Sequence, residues 1–180
     1  LNIIGLLDNS VEGNYEFMDK SVARVSEREL SKIRKQHIGF IFQNFNLIDE
    51  LSVEENIELA LLYQSISHRE RKQRVANIMD KVGIAHRAKH MPGQLSGGQQ
   101  QRVAVARAVV GDQSLILADE PTGNLDSVHG QDVMDMLQSL NDEGVTIVMV
   151  THSEAHADYA GRVINLFDGN VIAENLRQAS

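Results

Sequence analysis

Two periods of apolar and polar positions alternate along this chain, and each period predicts a different element. Apolar runs of about five residues predict buried strands at Ile38–Phe42, Leu115–Asp119 and 145–151. The runs 163–167 and 171–173 flank Asp168-Gly169, which predicts a hairpin. Because helical patterns separate the first three strands, we expect an α/β architecture with a mainly parallel sheet and helices on both faces.

The helices carry their own start signals. Four serines are followed three residues later by Glu or Gln, which predicts capping boxes at helix starts. The pairs are Ser26/Glu29, Ser52/Glu55, Ser67/Glu70 and Ser96/Gln99. Apolar residues then recur at helical spacing, at Val75, Ile78, Met79 and Val82, and later at Val133, Met136, Leu137 and Leu140. Since residues 51–89 contain two such helices and no strand pattern, we interpret them as a helical insert.

Composition narrows the function classes. The 180 residues fit one domain with a single substantial core, so we expect 1–180 to be one domain. The formal net charge of −8 opposes general binding to nucleic acid, which requires clustered Lys and Arg. The absence of Cys excludes disulfides and thiolate metal sites and is typical of the cytosol. No apolar run is long enough to predict a membrane span of its own.

The string Leu95-Ser96-Gly97-Gly98-Gln99 is the most informative in the chain. Ser96 and Gln99 predict a helix start, where free amides and the positive end of the helix dipole favour an anion. Glycines at 97 and 98 allow a phosphate to approach the backbone closely. A simpler interpretation is a capping box after a glycine turn. The acidic strand that follows at short range favours nucleotide chemistry over that interpretation.

Asp119 and Glu120 end the predicted strand that begins at Leu115. Ligands of parallel sheets usually bind at the carboxyl edge of the strands, where this pair is expected to lie. One carboxylate could hold Mg²⁺ while the next orients or deprotonates a water that attacks a phosphoryl group. Acidic pairs at strand ends are common in solvent, so the preceding string and strand are what favour the catalytic interpretation.

Two further polar residues follow predicted strands. Gln43 comes directly after Ile38–Phe42, and its neutral amide could touch a metal-bound water and move with the helical insert. His152 follows the strand at 145–151, where an imidazole could hydrogen-bond a terminal phosphate. For Gln43 the local sequence alone favours an ordinary surface loop, and for His152 the simpler interpretation is a solvent-facing loop histidine.

Nucleotide chemistry normally also requires the phosphate-binding string Gly-x-x-x-x-Gly-Lys-Ser/Thr. That string does not occur in the 180 residues, and neither does any Gly-Lys pair. The sequence therefore predicts a purine-nucleotide site that lacks the phosphate-binding loop.

Five elements occur in a fixed order along the chain: Gln43, Leu95 to Gln99, Leu115 to Glu120, Gly123 to Asp126 and His152. Together they span nearly the whole chain and resemble the nucleotide-binding subunit of ATP-binding cassette (ABC) transporters. The resemblance implies a P-loop NTPase-like fold in which 51–89 is the helical subdomain that docks on a membrane permease. It implies these roles: Gln43 as the Q-loop, Leu95 to Gln99 (with Ser96, Gly97 and Gly98) as the signature motif, Asp119 as the Walker B aspartate, Glu120 as the catalytic glutamate, Asn124 to Asp126 as the D-loop, and His152 as the switch histidine.

The local sequences of residues 118–127 and 38–47 are similar to those of the family branch that serves macrolide export and lipoprotein release. The resemblance implies ATP and Mg²⁺ as cofactors and a second ATPase subunit, so that a homodimer sandwiches two ATP molecules. It also implies an integral membrane permease as partner, and a location on the cytoplasmic face of the cell membrane. The chromosome-maintenance and DNA-repair ATPases share the signature motif, but their long coiled coils would appear as sustained heptads, which this sequence lacks.

The front of the chain departs from the family pattern. Residues 1–8 resemble the helix that follows a P-loop, so we expect the P-loop and the N-terminal strands to be missing. The loss of a strand should leave a central gap in the sheet. The alternative to an ATP-hydrolysing exporter subunit is therefore a non-catalytic module that docks on a permease or a partner subunit without binding ATP itself.

Overall fold

A parallel sheet of three strands organises the larger part of the molecule. The computed structural model describes residues 1–8, 12–22 and 25–176. The strands are β3 (Ile38–Phe42), β4 (Leu115–Asp119) and β5 (Thr146–Val150), in the order β3-β4-β5. Ile38 lies opposite Leu115, and Leu115 lies opposite Thr146. The predicted α/β fold class is confirmed, and the third strand is shorter by one residue at each end than expected.

The gap that a missing strand should leave does not fall between these three strands. β3, β4 and β5 pair without interruption over five residues each. Within the described ranges, the outer edge of β5 carries no partner strand. A gap beyond the open edge of β5 stays a prediction.

Helices cover both faces of the sheet. On one face, α1 (Glu27–His37) contributes the buried Leu30 to a cluster with Ile38, Leu115 and Leu117. On the other face, α4 (Gly97–Val109) lies against Gly39, whose hydrogen faces the backbone of Ala108. The alternation of Ile38 and Gly39 between the two faces follows from the two-residue period of a strand. α5 (Ser127–Asp142) then connects β4 to β5, as a parallel pair requires.

The capping boxes decide where the helices begin. Ser26, Ser52 and Ser96 each accept from the backbone amide three residues later, and the backbone amide of each serine donates to the Glu or Gln side chain at that position. The fourth predicted box is only half formed. Ser67 accepts from the Glu70 amide, but the Glu70 carboxylate pairs instead with Arg74 at 2.9 Å. A charge-assisted bond to a guanidinium is the stronger alternative for that carboxylate.

Residues 51–89 are helical, as expected, and contain no strand among their described positions. They form α2 (Val53–Glu58), α3 (His68–Lys81) and the 3-10 turns Leu59–Leu61 and Ala85–Arg87. Their apolar faces share a core with Leu95 and Val103, so this segment packs on α4. The assignment of 51–89 to a subdomain, and of 1–180 to one domain, stays a prediction.

Ion pairs join α2 to α3 on the surface of this helical segment. Arg71 contacts Glu58 at 3.0 Å, and Lys72 lies 3.5 Å from Glu54 and 3.4 Å from Glu58. Partial desolvation raises the pKa of Glu58, but the hydrogen bonds and charges of Arg71 and Lys72 together outweigh it and hold the pKa below its usual value. Arg71 and Lys72 of α3 therefore pair with acidic residues of α2.

The front of the chain is not the regular helix that residues 1–8 suggest. The segment forms turns, in which the Gly5 amide donates to the Leu1 carbonyl at 2.8 Å. Leu6 adopts a φ of 56°, in the left-handed region, which a right-handed helix cannot continue through. The short strands β1 (Glu16–Phe17) and β2 (Lys20–Ser21) then form an antiparallel pair.

The structure divides into two compact units, Leu1–Val150 and Thr151–Ser180. The second contains α6 (Glu154–Ala157) and the predicted hairpin, formed by β6 (Arg162–Phe167) and β7 (Asn170–Leu176). Asp168 and Gly169 make its turn, both with positive φ, as an Asp-Gly hairpin favours. In the described ranges, no helix combines the length and apolar character that crossing a bilayer requires.

Candidate functional site

The predicted site residues of the first unit gather at the carboxyl ends of β3 and β4. Phe42 lies opposite Asp119 in the parallel register, so Gln43 and Glu120 both follow adjacent strand ends. Asp119 is exposed and Glu120 is partly buried. The structure thus places the amide and both carboxylates along one edge of the sheet.

A hydrogen-bond network joins the end of β3 to the loop after β4. Gln43 Nε2 donates to Asn124 Oδ1 at 3.3 Å. Asn124 Nδ2 donates to the Gln43 carbonyl oxygen and to Asn44 Oδ1, each at 2.9 Å. Gly123 lies so close that a Cβ there would stand 2.7 Å from Gln43 Nε2. Gln43 and Asn124, predicted separately, therefore lie in contact.

Glu120 has an unusual backbone conformation. Its φ is 45°, in the left-handed region that residues other than glycine rarely adopt. Its amide donates to the Val150 carbonyl at 3.0 Å, and its carbonyl accepts from the Gly123 amide at 3.0 Å. Such a conformation persists only where the surroundings hold it, and it is frequent at functional sites.

The start of α4 lies beside the loop of residues 123–126. Ser96 caps the helix through the Gln99 amide at 3.3 Å. A Cβ at Gly97 would lie 3.8 Å from the Asn124 carbonyl oxygen. A Cβ at Gly98 would come within 2.6 Å of the His129 ring, so any larger residue must displace that ring. Gly98 is buried by close packing, whereas Ser96 is exposed and available to a ligand.

A cleft of about 330 Å³ opens at this helix start. Ser96, Gly98 and Gln99 form one side of it, and His129 and Asp132 belong to the other. Arg102 Nη2 donates to Asp132 Oδ2 at 2.9 Å, which joins α4 to α5 across the cleft. The start of α4 therefore borders a polar, open space of a size suited to phosphate groups.

Asp126 caps α5 and also holds His129. Its carboxylate accepts from the amides of Val128 at 3.1 Å and His129 at 3.0 Å, and lies 2.6 Å from His129 Nδ1. The His129 amide and then the His129 ring lower the pKa of Asp126 below the usual value for aspartate. Asp126 is therefore placed to order the loop before α5 and the imidazole beside Gly98.

Replacing Asp126 by Asn should reduce thermal stability at neutral pH but not in acid. A depressed carboxyl pKa stabilises the fold above the unfolded pKa of about 4, and this contribution is lost as the pH falls through the lower folded pKa. Asn still caps a helix, so the charge alone changes. We expect the melting temperatures of the two proteins to converge below about pH 3. Asp49→Asn, at an exposed loop position, is the control. A constant difference from pH 7 to acid would contradict this role of the carboxylate.

Arg107 is a structural residue of the site that the sequence analysis did not identify. Its Nη1 and Nη2 donate to the carbonyl oxygens of Asn46 at 2.5 Å and Phe45 at 2.8 Å. Both of those residues adopt left-handed conformations, with φ of 49° and 60°. Burial lowers the pKa of Arg107, although a guanidinium stays charged. The signal in the sequence was an arginine inside an apolar run of α4. The two hydrogen bonds of Arg107 hold the loop that follows Gln43.

His152 lies in the second unit, on the segment that follows β5. Its side chain is exposed and precedes α6, whose start is capped by Ser153 through the His156 amide at 3.3 Å. The position after a strand agrees with the sequence analysis. The contact of His152 with a terminal phosphate stays a prediction.

Comparison with known proteins identifies relatives of the whole chain. The family model described as ABC transporter matches residues 1–123. The uncharacterized ABC transporter ATP-binding protein YknY of Bacillus subtilis (strain 168) is 44% identical over 180 residues, which cover 100% of this chain and 78% of that protein. The macrolide export ATP-binding/permease protein MacB of Sodalis glossinidius (strain morsitans) is 44% identical over 174 residues, which cover 97% of this chain and 27% of MacB. The chain thus spans about a quarter of the length of that second relative.

Solved structures of ABC transporter cassettes also resemble this chain. The dimeric structure of MJ0796, a bacterial ABC transporter cassette, has a TM-score of 0.89 at 43% identity and covers 99% of this chain and 79% of that one. A dimeric post-hydrolysis state of the same cassette, bound to ADP and Pi, has a TM-score of 0.88 at 42% identity, again over 99% and 79%. At this level of identity the resemblance extends to sequence as well as fold.

Proposed function

Since this chain belongs to the ABC transporter family, we propose that it is the ATP-binding and ATP-hydrolysing subunit of an exporter, driving a separate membrane permease. The observation that carries the proposal is the loop from Asp119 to Asp126. It begins with two carboxylates at a sheet edge, bonds to Gln43 through Asn124, and ends beside the glycines at the start of α4. One short segment thus links metal-binding, catalytic and phosphate-binding candidates.

The residues present fit Mg²⁺ and part of ATP. Carboxylate and amide oxygens are ligands that Mg²⁺ accepts, which suits Asp119 and Gln43. The bound cation would neutralise charge on the phosphates. Ser96, Gly97, Gly98 and Gln99 present a hydroxyl, amides and a helix dipole to an anion. The lysine of a phosphate-binding loop does not occur in residues 1–180, so these residues supply one side of a nucleotide site.

In this proposal Glu120 accepts a proton from the attacking water, because its carboxylate follows the strand end next to Asp119. The Ser96 hydroxyl and the Gly98 amide hold the terminal phosphate of ATP bound to a partner subunit. Asn124 and Asp126 order the loop between the two nucleotides, and His152 donates to the terminal phosphate. Two copies would therefore be needed for a complete pair of sites, which the dimeric MJ0796 cassettes support.

The proposed partners are a second copy of the ATPase and an integral membrane permease. MacB carries the words ATP-binding and permease in a single name and is much longer than this chain, which supports a transport assembly containing both activities. The proposed location is the cytoplasmic face of the cell membrane, held there by the permease. The helical segment 51–89 is the proposed docking region for the permease. We propose no nucleic-acid partner, because the net charge of −8 opposes binding to a phosphate backbone.

The test is ATP hydrolysis by the complete gene product that carries this chain. We expect phosphate release that requires Mg²⁺ and is lost on chelation, because Asp119 and Gln43 act through the cation. Asp119→Asn should raise the Mg²⁺ concentration needed for half-maximal phosphate release, and Asp49→Asn should leave that concentration unchanged. A complete gene product that binds its permease but neither binds nor hydrolyses ATP would contradict the proposal and favour the non-catalytic module. Calorimetry on residues 1–180 alone should show no binding of magnesium-ATP.

A further inference from the structure

Gln101 lies on α4 two residues after Gln99 and has no exposed surface. Its Nε2 donates to the Pro121 carbonyl oxygen at 2.6 Å. Its Oε1 accepts no hydrogen bond from any residue within the described ranges. Buried amides normally satisfy both ends. This side chain is thus held by one polar contact, and that contact is to the residue directly after Glu120.

The chemistry of Pro121 determines which end of the amide faces it. A carbonyl oxygen only accepts, so the NH2 group of Gln101 is the end that lies 2.6 Å away. Proline has no N–H of its own, so its main chain can be held only through the carbonyl. The bond from Gln101 is therefore a direct polar link between α4 and the turn that follows β4.

That turn needs support. Glu120 adopts a φ of 45°, and a residue that precedes proline is normally restricted to extended conformations. The two effects together disfavour the observed conformation of Glu120. Hydrogen bonds hold it on both sides: the Glu120 amide bonds to Val150, the Glu120 carbonyl accepts from Gly123, and the next carbonyl accepts from Gln101. Of these three bonds, only the one from Gln101 comes from the helix that begins at Ser96.

We propose that Gln101 is a positioning residue that ties the helix beginning at Ser96 to the turn that directs Glu120. A phosphate held by Ser96 and Gly98 would fix the first turn of α4, and Gln101 lies in the next turn of the same rigid helix. Occupancy of the phosphate site and the orientation of the Glu120 carboxylate would thereby be coupled. This inference rests on the proposed function, because it requires Glu120 to act on the attacking water.

The test is Gln101→Met in the complete gene product. Met has a similar length and no donor, so the Pro121 carbonyl loses its partner while the helix keeps its packing. We expect kcat for ATP hydrolysis to fall roughly 10-fold and KM for ATP to change less than about 2-fold, because orientation rather than binding is lost. Gln100→Met is the matched control. Gln100 neighbours Gln101 on α4 but donates to Leu95 at 3.3 Å, away from the turn, and its kcat should not change.

A double-mutant cycle separates positioning from general damage to the fold. If Gln101 acts through Glu120, the loss of kcat from Gln101→Met should vanish when Glu120 is already Gln. An equal loss in both backgrounds, or a KM that rises while kcat is preserved, would overturn the inference. Gln101→Asn, whose shorter amide does not reach Pro121, provides a second variant if the Met protein does not fold. If Glu120→Gln itself leaves turnover intact, the proposed role of Glu120 fails and this inference fails with it. A complete gene product that does not hydrolyse ATP at all would instead refute the proposed function. If Glu120→Gln lowers turnover and Gln101→Met does not, only this inference fails.

Discussion

Replacing Glu120 by Gln should lower kcat for ATP hydrolysis by roughly 10²–10⁴-fold, the range typical of losing a general base. Gln keeps the size of the side chain and one acceptor oxygen, but its other oxygen is replaced by an NH2 donor and it cannot accept the proton from water at neutral pH. ATP affinity should therefore persist, because the proposed Mg²⁺ ligands and the start of α4 are unchanged. Phosphate release and ATP binding, measured on the same preparation of the complete gene product, distinguish the two effects.

The matched control is Glu143→Gln. Glu143 is exposed at the end of α5 and pairs with Lys81, so the same chemical change there tests only the loss of a surface charge. We expect turnover within about 2-fold of the unchanged protein, in line with the small effect of surface ion pairs. Undiminished turnover in Glu120→Gln would remove Glu120 from its proposed role and leave the fold assignment unaffected.

Replacing Gly39 by Ala should destabilise the first unit by more than about 2 kcal/mol, beyond the usual effect of a point substitution. Gly39 lies in β3 and is buried, and a Cβ there would overlap the Ala108 carbonyl oxygen and lie 2.9 Å from its carbonyl carbon. The obstacle is helix backbone rather than a flexible side chain, so α4 and β3 must separate. Urea unfolding of the complete gene product measures the change.

Gly93→Ala is the control for this substitution. A Cβ at Gly93 would meet no described atom within 4 Å, and its φ is not among the positive values of the chain. We expect its stability to stay within about 0.5 kcal/mol of the unchanged protein, as for ordinary surface substitutions. Equal stability of the two variants would show that α4 can shift away from β3 at little cost, and the close contact at Gly39 would then not control the spacing of helix and sheet.

Local sequence signals predicted most of the fold because they arise from local physics. The apolar run Ile38–Phe42 and the capping box of Ser96 depend on residues a few positions apart, and both are confirmed. The box at Ser67 failed because Arg74, one helical turn beyond Glu70, competes for the carboxylate. The regular helix expected in 1–8 failed at Leu6, whose left-handed conformation no residue type in that segment signals.

The candidate site was only partly accessible from the sequence. Motif spacing identified Gln43 and Asn124, but their mutual hydrogen bonds depend on strand register across a separation of 81 positions. Arg107 and Gln101 were not identified, because each acts on a distant carbonyl group rather than on a ligand. His129 was missed as well, since its significance is steric contact with Gly98. Such supporting contacts become visible only in three dimensions.

The position of β4 between β3 and β5 has a consequence for the order of folding. β3 and β4 are neighbours although residues 43–114 separate them along the chain, so their pairing closes a long loop. Most of that interval is the helical segment, whose apolar residues Val53, Ile57 and Val75 share a core with Leu95 and Val103 of the same interval. Local contacts form faster than distant ones. The helices of 51–89 should therefore collapse early and shorten the effective loop, after which β3 and β4 align and bring Gln43 to Asn124 as a late event.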